Sequence, residues 1–99
     1  MGYRKDLLKL AEQGDAEAQH NLALSYFVAI FPNNKKAVYW WEQAAKQGHV
    51  DAQYFLGHCY LCGKGVKADA EVGISWWVSA ARNGQKDAQK RLADMEIEY

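Results

Sequence analysis

The sequence repeats itself, and this repetition limits the possible folds more than any other feature. The segments YWWEQAAKQGHVDAQ (39–53) and SWWVSAARNGQKDAQ (75–89) share a tryptophan pair, an Ala-Ala pair, a glycine and an Ala-Gln pair. The pattern Ala-x-x-Gly-x-x-x-Ala-Gln-x-x-Leu occurs three times, beginning at Ala11, Ala45 and Ala81, with offsets of 34 and 36 residues. Periods of this length are typical of solenoids, in which each unit buries its apolar face against its neighbours.

Helical periodicity accounts for the repeated residues. Ala52, Leu56 and Tyr60 are spaced four residues apart, which places them on one face of a helix. A glycine follows the second helix of each unit, where a left-handed residue commonly ends a helix, and an acidic residue then falls in the next first turn. We interpret the tryptophans as core residues that fill the joints between units. The spacing predicts six helices, at about 3–13, 16–29, 34–47, 51–62, 69–83 and 86–97, with Asn33 and Asp69 as N-caps.

The composition agrees with a small helical protein and disfavours several functions. The chain has 99 residues, of which 49% are hydrophobic and one is proline, so one domain with ample apolar material is expected. Twelve basic and twelve acidic residues give a net charge of zero, so the sequence predicts neither a nucleic-acid nor a membrane partner. The N-terminus does not resemble a secretory signal. We therefore expect a cytoplasmic protein, or a periplasmic or secreted one if a signal was removed.

The repeated residues resemble the Sel1-like repeat, an αα-solenoid relative of the tetratricopeptide repeat. The second unit carries nearly the whole family pattern, namely Ala52-Gln53, Leu56-Gly57, Tyr60, Gly63-Lys64-Gly65-Val66, Asp69, Gly73, Trp76-Trp77 and Ala80-Ala81. In the first unit, Ala29-Ile30-Phe31-Pro32 stands where the family has G-x-G-V, and the turn is two residues shorter. We expect Phe31 to take the apolar place of Val66 there.

This resemblance implies an all-α fold, a right-handed αα-superhelix of about six antiparallel helices. Residues 1–99 would form a single Sel1-like repeat domain, with a half unit at 3–14, full units at 15–48 and 49–84, and a half unit at 85–97. If the chain were a fragment of a longer array, Leu8, Met95 and Ile97 on the terminal helices would be apolar contact residues that lack their neighbouring unit. We expect a monomer, or weak self-association through these helices.

Proteins of this family are interaction scaffolds, many of them bacterial, so the resemblance implies a protein- or peptide-binding module and not an enzyme. The alternative is an inhibitor or immunity-type protein that binds one partner tightly through its convex face or its loops. A cysteine-rich branch of the family has been assigned penicillin binding or β-lactam hydrolysis, and its cysteines correspond to Ala45, Gln53, Ala81 and Gln89. None of these residues is cysteine, so that activity does not carry over.

A partner would bind the concave face, which the first helix of each unit lines if the units curve as tetratricopeptide repeats do. The residues expected to contact it are His20, Leu24, Phe27, Tyr54, His58, Leu61, Cys62 and Lys90. Aromatic, aliphatic and imidazole side chains of this kind suit an extended or helical peptide. The alternative is that the curvature of the stack simply buries some of them.

The remaining motifs do not indicate catalysis. Cys59-x-x-Cys62 lies at the C-terminal end of its predicted helix, where the helix dipole disfavours a thiolate. A zinc site needs four ligands, whereas only His58 and Cys62 share a face. Gly63-Lys64-Gly65 lacks the spacing and the strand of a phosphate-binding loop. We therefore expect Cys59 to be buried, Cys62 to be exposed, and no cofactor, metal or catalytic residue.

Overall fold

The computed structural model describes residues 2–99 and contains six helices. They are α1 (Gly2–Glu12), α2 (Ala16–Phe27), α3 (Asn34–Lys46), α4 (Val50–Cys62), α5 (Ala70–Arg82) and α6 (Lys86–Asp94). Each helix packs against the next one in the chain, and no strand occurs within residues 2–99. The fold is the expected right-handed αα-superhelix of six antiparallel helices, with two full units and a half unit at each end. It extends over 43 × 25 × 17 Å.

The helix ends agree with the residue types that were expected to form them. Asn33 and Asp69 are the N-caps of α3 and α5, and their side chains accept hydrogen bonds from backbone N–H groups three residues later. Gly14, Gly48 and Gly84 have φ values of 95°, 89° and 91°, so each supplies the left-handed residue that follows a second helix. The predicted caps and glycine positions are therefore confirmed.

The last helix is shorter than predicted because its end is turned back onto the core. It ends at Asp94, and Glu96 adopts a left-handed conformation with φ of 59°. The N–H of Ile97 then donates to the carbonyl of Leu92 across 2.9 Å, which brings Ile97 against the last core cluster. Met95 stays exposed, whereas Leu8 and Ile97 are half-buried.

The tryptophans lie where the core interpretation placed them. Trp41 and Trp77 are buried, and Trp40 and Trp76 are half-buried against the same cluster in the middle of the chain. The leucine four residues after the alanine of each Ala-Gln pair has no solvent exposure in any copy, namely Leu22, Leu56 and Leu92. Burying such side chains stabilises a fold by about 1.5–3 kcal/mol each, so the repeat pattern is also the core pattern.

A glutamine in the first helix of each unit forms a hydrogen bond with the backbone of the preceding helix. Nε2 of Gln19, Gln53 and Gln89 donates to the carbonyl of the residue eight positions earlier, at 3.0, 3.1 and 2.9 Å. These acceptors are the carbonyls of Ala11, Ala45 and Ala81. The same side-chain hydrogen bond therefore recurs in all three copies of the repeat.

Side chains that cap the first helices also connect consecutive units. His49 caps α4, since its Nδ1 accepts from the N–H of Ala52 at 3.1 Å, and its Nε2 donates to Oε1 of Glu17 in the preceding unit at 2.7 Å. Gln85 caps α6 in the same way and donates to Oδ1 of Asp51 at 3.1 Å. The acidic residue in the first turn therefore has a second role, because it receives the cap of the next unit.

The second unit brings its two helices closer together than side chains would allow. A Cβ on Gly57 of α4 would lie 2.5 Å from Cδ1 of Trp77 and 2.7 Å from the carbonyl oxygen of Gly73 in α5. Real Cβ atoms do not approach other atoms this closely, so both positions need glycine. The matching pair in the first unit is Ala23 and Ala37, both fully buried.

Phe31 does not take the place of Val66, and this prediction was wrong. Phe31 is exposed, whereas Val66 is half-buried and packs against the central cluster. Equivalent hydrogen bonds close the two inter-helix loops. The N–H of Asn33 donates to the carbonyl of Tyr26 in the first unit, and the N–H of Asp69 donates to the carbonyl of Tyr60 in the second. Because the first loop connects equivalent helix ends with two residues fewer, it is too short to fold Phe31 inward against the core.

Candidate functional site

Side chains from the three first helices form one continuous surface. The rings of Phe27 in α2 and His58 in α4 are 6.4 Å apart, and Nε of Arg91 in α6 donates to the hydroxyl of Tyr54 in α4 across 3.1 Å. We call this surface the docking face. It comprises Leu24, Phe27, Tyr54, His58 and Leu61, which are half-buried, and Cys62, Lys90 and Arg91, which are exposed.

An aromatic layer supports the docking face from below. The rings of Trp41 and Phe55 stack 5.0 Å apart with only 6° between their planes, and Phe27 meets Trp41 edge-on at 5.2 Å. Stacked and edge-on pairs of this kind add to the stability gained by burial alone. The half-buried side chains of the docking face therefore have well-packed neighbours, so little side-chain entropy would be lost if they bound a partner.

His20 is not on the docking face, and its predicted role as a contact residue was wrong. It is only 7% exposed, and its Nδ1 accepts a hydrogen bond from Nε1 of Trp41 across 3.0 Å. Its ring stacks on that of His49 at 4.6 Å. Burial, together with the nearby His49, lowers the pKa of His20 below its ordinary value. The curvature of the stack buries this residue, and its role is structural.

Tyr54 has one structural side and one accessible side. Its ring stacks on Trp77 at 5.7 Å, and its carbonyl accepts from Nε1 of that tryptophan at 2.8 Å. Its hydroxyl, by contrast, reaches the surface and accepts from Arg91. A substitution of Tyr54 would therefore disturb packing as well as the surface, so the charged residues beside it are better probes of binding.

Two cations that the sequence analysis did not select give the docking face a positive character. Nζ of Lys64 lies 5.4 Å from the ring centre of Phe27, and Arg91 borders the face on its other side. Burial, followed by the charges of Lys64 and Arg91, lowers the pKa of His58. Lys90, which was selected, is exposed and pairs with Asp94 at 3.3 Å, so its charge is largely compensated.

A shallow pocket extends the docking face beside α1. It has a volume of about 300 Å³ and is lined by Tyr3, Asn21, Leu24, Ser25 and Val28. A second pocket of about 340 Å³ lies between α1 and α3 and includes Trp40 and Tyr39. Only the first pocket shares a residue with the docking face, so it is the one that could receive an apolar side chain of a bound segment.

The cysteines do not form a reactive centre. Cys59 is buried, and burial raises the pKa of its thiol to about 12. Cys62 is exposed, with Sγ 3.8–3.9 Å from the ring nitrogens of His58. Residues 2–99 hold no group of three or more His, Cys, Asp or Glu side chains placed to bind a metal ion. The predicted burial of Cys59 and exposure of Cys62 are confirmed.

None of the helices within residues 2–99 is long and apolar enough to cross a lipid bilayer.

The chain is similar to proteins built from one family of repeats. The family model for the Sel1 repeat matches residues 16–49 and 50–85. A Sel1 repeat protein from Oxalobacter formigenes is 36% identical with a TM-score of 0.84, over 89% of this chain and 68% of that one. The antigen c5321 of uropathogenic Escherichia coli is 35% identical with a TM-score of 0.85, over 93% of this chain and 20% of that one.

A curated plant relative is much longer than this chain. The F-box protein At1g70590 of Arabidopsis thaliana is 39% identical over 59 residues, which are 60% of this chain. The chain covers 17% of that protein, less than a fifth of its length. The similarity therefore concerns the repeats and not the whole relative.

Proposed function

The chain belongs to the Sel1 repeat family, whose members are generally protein-interaction scaffolds, and we propose that it binds a segment of a partner protein on its docking face. The observation that carries this proposal is the convergence of Phe27, His58 and Tyr54, from two neighbouring helices, on a half-buried aromatic surface. Aromatic side chains and arginine are enriched at the centres of protein interfaces.

The charges of the docking face indicate what the partner segment carries. Lys64 and Arg91 flank His58, and neither forms an ion pair within residues 2–99. A carboxylate placed between them would gain charge-assisted hydrogen bonds, and Arg91 could hold it in a bidentate pair. The partner segment is therefore proposed to be acidic, with an aromatic or aliphatic side chain that packs against Phe27 and Leu24.

The docking face favours binding over catalysis as the role of the chain. Cys59 is buried with a raised pKa, and His58 has no carboxylate or hydroxyl partner that would make it part of a catalytic set. The expected cytoplasmic location remains part of the proposal, and fractionation of the source cells would test it.

Affinity capture from a lysate of the source cells, followed by mass spectrometry, tests the proposal. The bait variant is Lys64→Glu/Arg91→Glu, and the matched control is Lys46→Glu/Arg82→Glu, which changes net charge equally. Lys46 ends α3 and Arg82 ends α5, so both lie on second helices, which contribute no side chain to the docking face. The proposal expects one partner that the first variant loses and the control keeps. A partner that both variants keep would instead favour the inhibitor-type alternative, acting through another surface.

A further inference from the structure

The loop between α2 and α3 carries the three most exposed large hydrophobic side chains of residues 2–99. Val28, Ile30 and Phe31 are 68%, 91% and 89% exposed, and Pro32 follows them. Large apolar side chains exposed next to one another commonly mark a binding surface, whereas single ones do not. Val28 also lines the pocket beside the docking face, whereas the proposed function leaves Ile30 and Phe31 without a role.

Four lysines belong to the segments that adjoin this apolar loop, and the ammonium groups of Lys36 and Lys64 lie 5.4 Å from the ring centres of Tyr26 and Phe27 at the end of α2. Lys35 and Lys36 begin α3, and Lys64 and Lys67 lie in the loop after α4, which packs against α3 so closely that Gly65 has no room for a Cβ beside Asn34. The ion pairs within residues 2–99 are His49–Glu17 and Lys90–Asp94, so none of the four lysines has a carboxylate partner. We call this surface, formed by Val28, Ile30, Phe31, Lys35, Lys36, Lys64 and Lys67, the loop edge.

The loop edge is basic although the whole chain is neutral. Asp69 and Glu71 are the nearest acidic residues in sequence, and Asp69 is engaged in capping α5. Other acidic residues cluster at the C-terminal end, at Asp94, Glu96 and Glu98. Net charge averages over these regions, so the expectation that the chain has no membrane partner rested on a quantity that does not describe the loop edge.

We propose that the loop edge docks on an anionic lipid surface. Ile30 and Phe31 would insert below the phosphates, and the flanking lysines would remain at the level of the headgroups. Exposed apolar side chains with basic side chains beside them are the combination that interfacial membrane binding requires. A protein partner fits less well, because lysine is depleted at protein interfaces, where aromatic residues and arginine supply most of the affinity.

Co-sedimentation of the full chain with phosphatidylcholine vesicles, with and without one-third phosphatidylserine, tests the proposal. We expect binding to the phosphatidylserine vesicles only, and weaker binding as salt is added. Ile30→Ser/Phe31→Ser removes the inserted side chains, and should weaken binding about tenfold or more. Lys35→Glu/Lys67→Glu should weaken it about as much, because each lysine at an anionic surface contributes roughly fivefold to affinity.

Matched controls separate specific docking from general effects. Leu10→Ser changes an exposed apolar residue near the C-terminal end of α1. Lys46→Glu/Lys86→Glu changes two lysines outside the loop edge and gives the same net charge as Lys35→Glu/Lys67→Glu. Both should bind the vesicles within about twofold of the unmodified chain. The proposal is overturned if the unmodified chain does not sediment with phosphatidylserine vesicles, or if the controls lose binding equally. Capture of a protein through Phe31 without vesicle binding would assign the loop edge to that protein instead.

The loop edge and the docking-face proposal share Lys64, so a variant of Arg91 alone is needed to separate them. Arg91→Glu alone should leave vesicle binding unchanged, because Arg91 lies on α6 beside Tyr54 and not on the loop edge. Loss of vesicle binding in this variant would contradict the assignment of lipid binding to the loop edge. Loss of a protein partner with retained vesicle binding is the result expected if both surfaces act as proposed.

Discussion

Nε1 of Trp41 donates a hydrogen bond to Nδ1 of His20 across 3.0 Å, and both residues are buried. Trp77, the counterpart of Trp41 in the second unit, donates instead to the backbone carbonyl of Tyr54. The first unit therefore depends on an imidazole nitrogen without a proton, whereas the second depends on a peptide group that does not titrate. Stability of the two units should consequently respond differently to acid.

Acidification is expected to destabilise the protein through His20. The pKa of His20 is lowered in the folded state, so the unfolded state takes up its proton first as the pH falls, and the stability that the neutral ring provides is lost below the unfolded pKa. The melting temperature should fall between about pH 7.5 and pH 5. His20→Asn keeps an acceptor for Trp41 but does not titrate, so its melting temperature should depend less on pH. An unchanged pH dependence in this variant would contradict the role given to His20.

Gly57→Ala is expected to destabilise the fold although alanine is the better helix former. The added Cβ would clash with Trp77 and with the backbone of Gly73, so α4 and α5 would have to separate. Overpacking of this kind costs about 1–3 kcal/mol, whereas helix propensity alone predicts a gain of roughly 1 kcal/mol. The two explanations differ in sign, and urea denaturation distinguishes them. A stabilised variant would show that the helices are not held at this distance.

Asn83→Gln is expected to stabilise the protein. Oε1 of Gln53 is buried and has no hydrogen-bond partner, whereas Oε1 of Gln19 in the first unit accepts from Gln47 at 2.9 Å. Asn83 occupies the position that matches Gln47, and its shorter side chain donates to the carbonyl of Ser79 instead. A glutamine at position 83 could reach Gln53 and should add about 1 kcal/mol to the free energy of unfolding.

The reverse substitution provides the matched control for that prediction. Gln47→Asn should leave Oε1 of Gln19 unpaired and lower the free energy of unfolding by about 1–3 kcal/mol. If neither change alters stability, a hydrogen bond at Oε1 of these glutamines does not contribute to the stability of the fold.

One thiol of the folded protein is expected to react with a chromogenic disulfide reagent at neutral pH. Cys62 is exposed, whereas Cys59 is buried and its pKa is raised to about 12, so it provides almost no thiolate. Both thiols should react after unfolding in urea. Rapid reaction of both in the folded protein would contradict the burial of Cys59, and Cys62→Ser should remove the native signal.

The repeat pattern was sufficient to predict the fold because each repeated residue has a local physical role. The glycines after α1, α3 and α5, the caps at Asn33 and Asp69, and the buried tryptophans follow from helix geometry and apolar spacing. These features depend on neighbours in sequence or on the adjacent unit. They could therefore be recognised before any coordinates were available.

The docking face was harder to predict because its members depend on small differences between units. His20 and Tyr54 occupy the same repeat position, yet only His20 is buried. The first unit has Ala23 where the second has Gly57, and the tryptophans have different acceptors, a histidine nitrogen in the first unit and a backbone carbonyl in the second. Arg91 reaches Tyr54 from another helix, and no local pattern marks such a contact. The net charge of zero gave no indication of the basic loop edge, because it averages over the whole chain.

The most direct test of the docking face uses the thiol that the protein already carries on it. A photo-crosslinker attached to Cys62 lies beside His58, and a matched probe can be placed on the opposite side in Cys62→Ser/Lys46→Cys. After irradiation in a lysate of the source cells, the account predicts that the partner is crosslinked from Cys62 and not from position 46. Crosslinking of that partner from position 46 alone would contradict it, and would place the binding surface on the second helices.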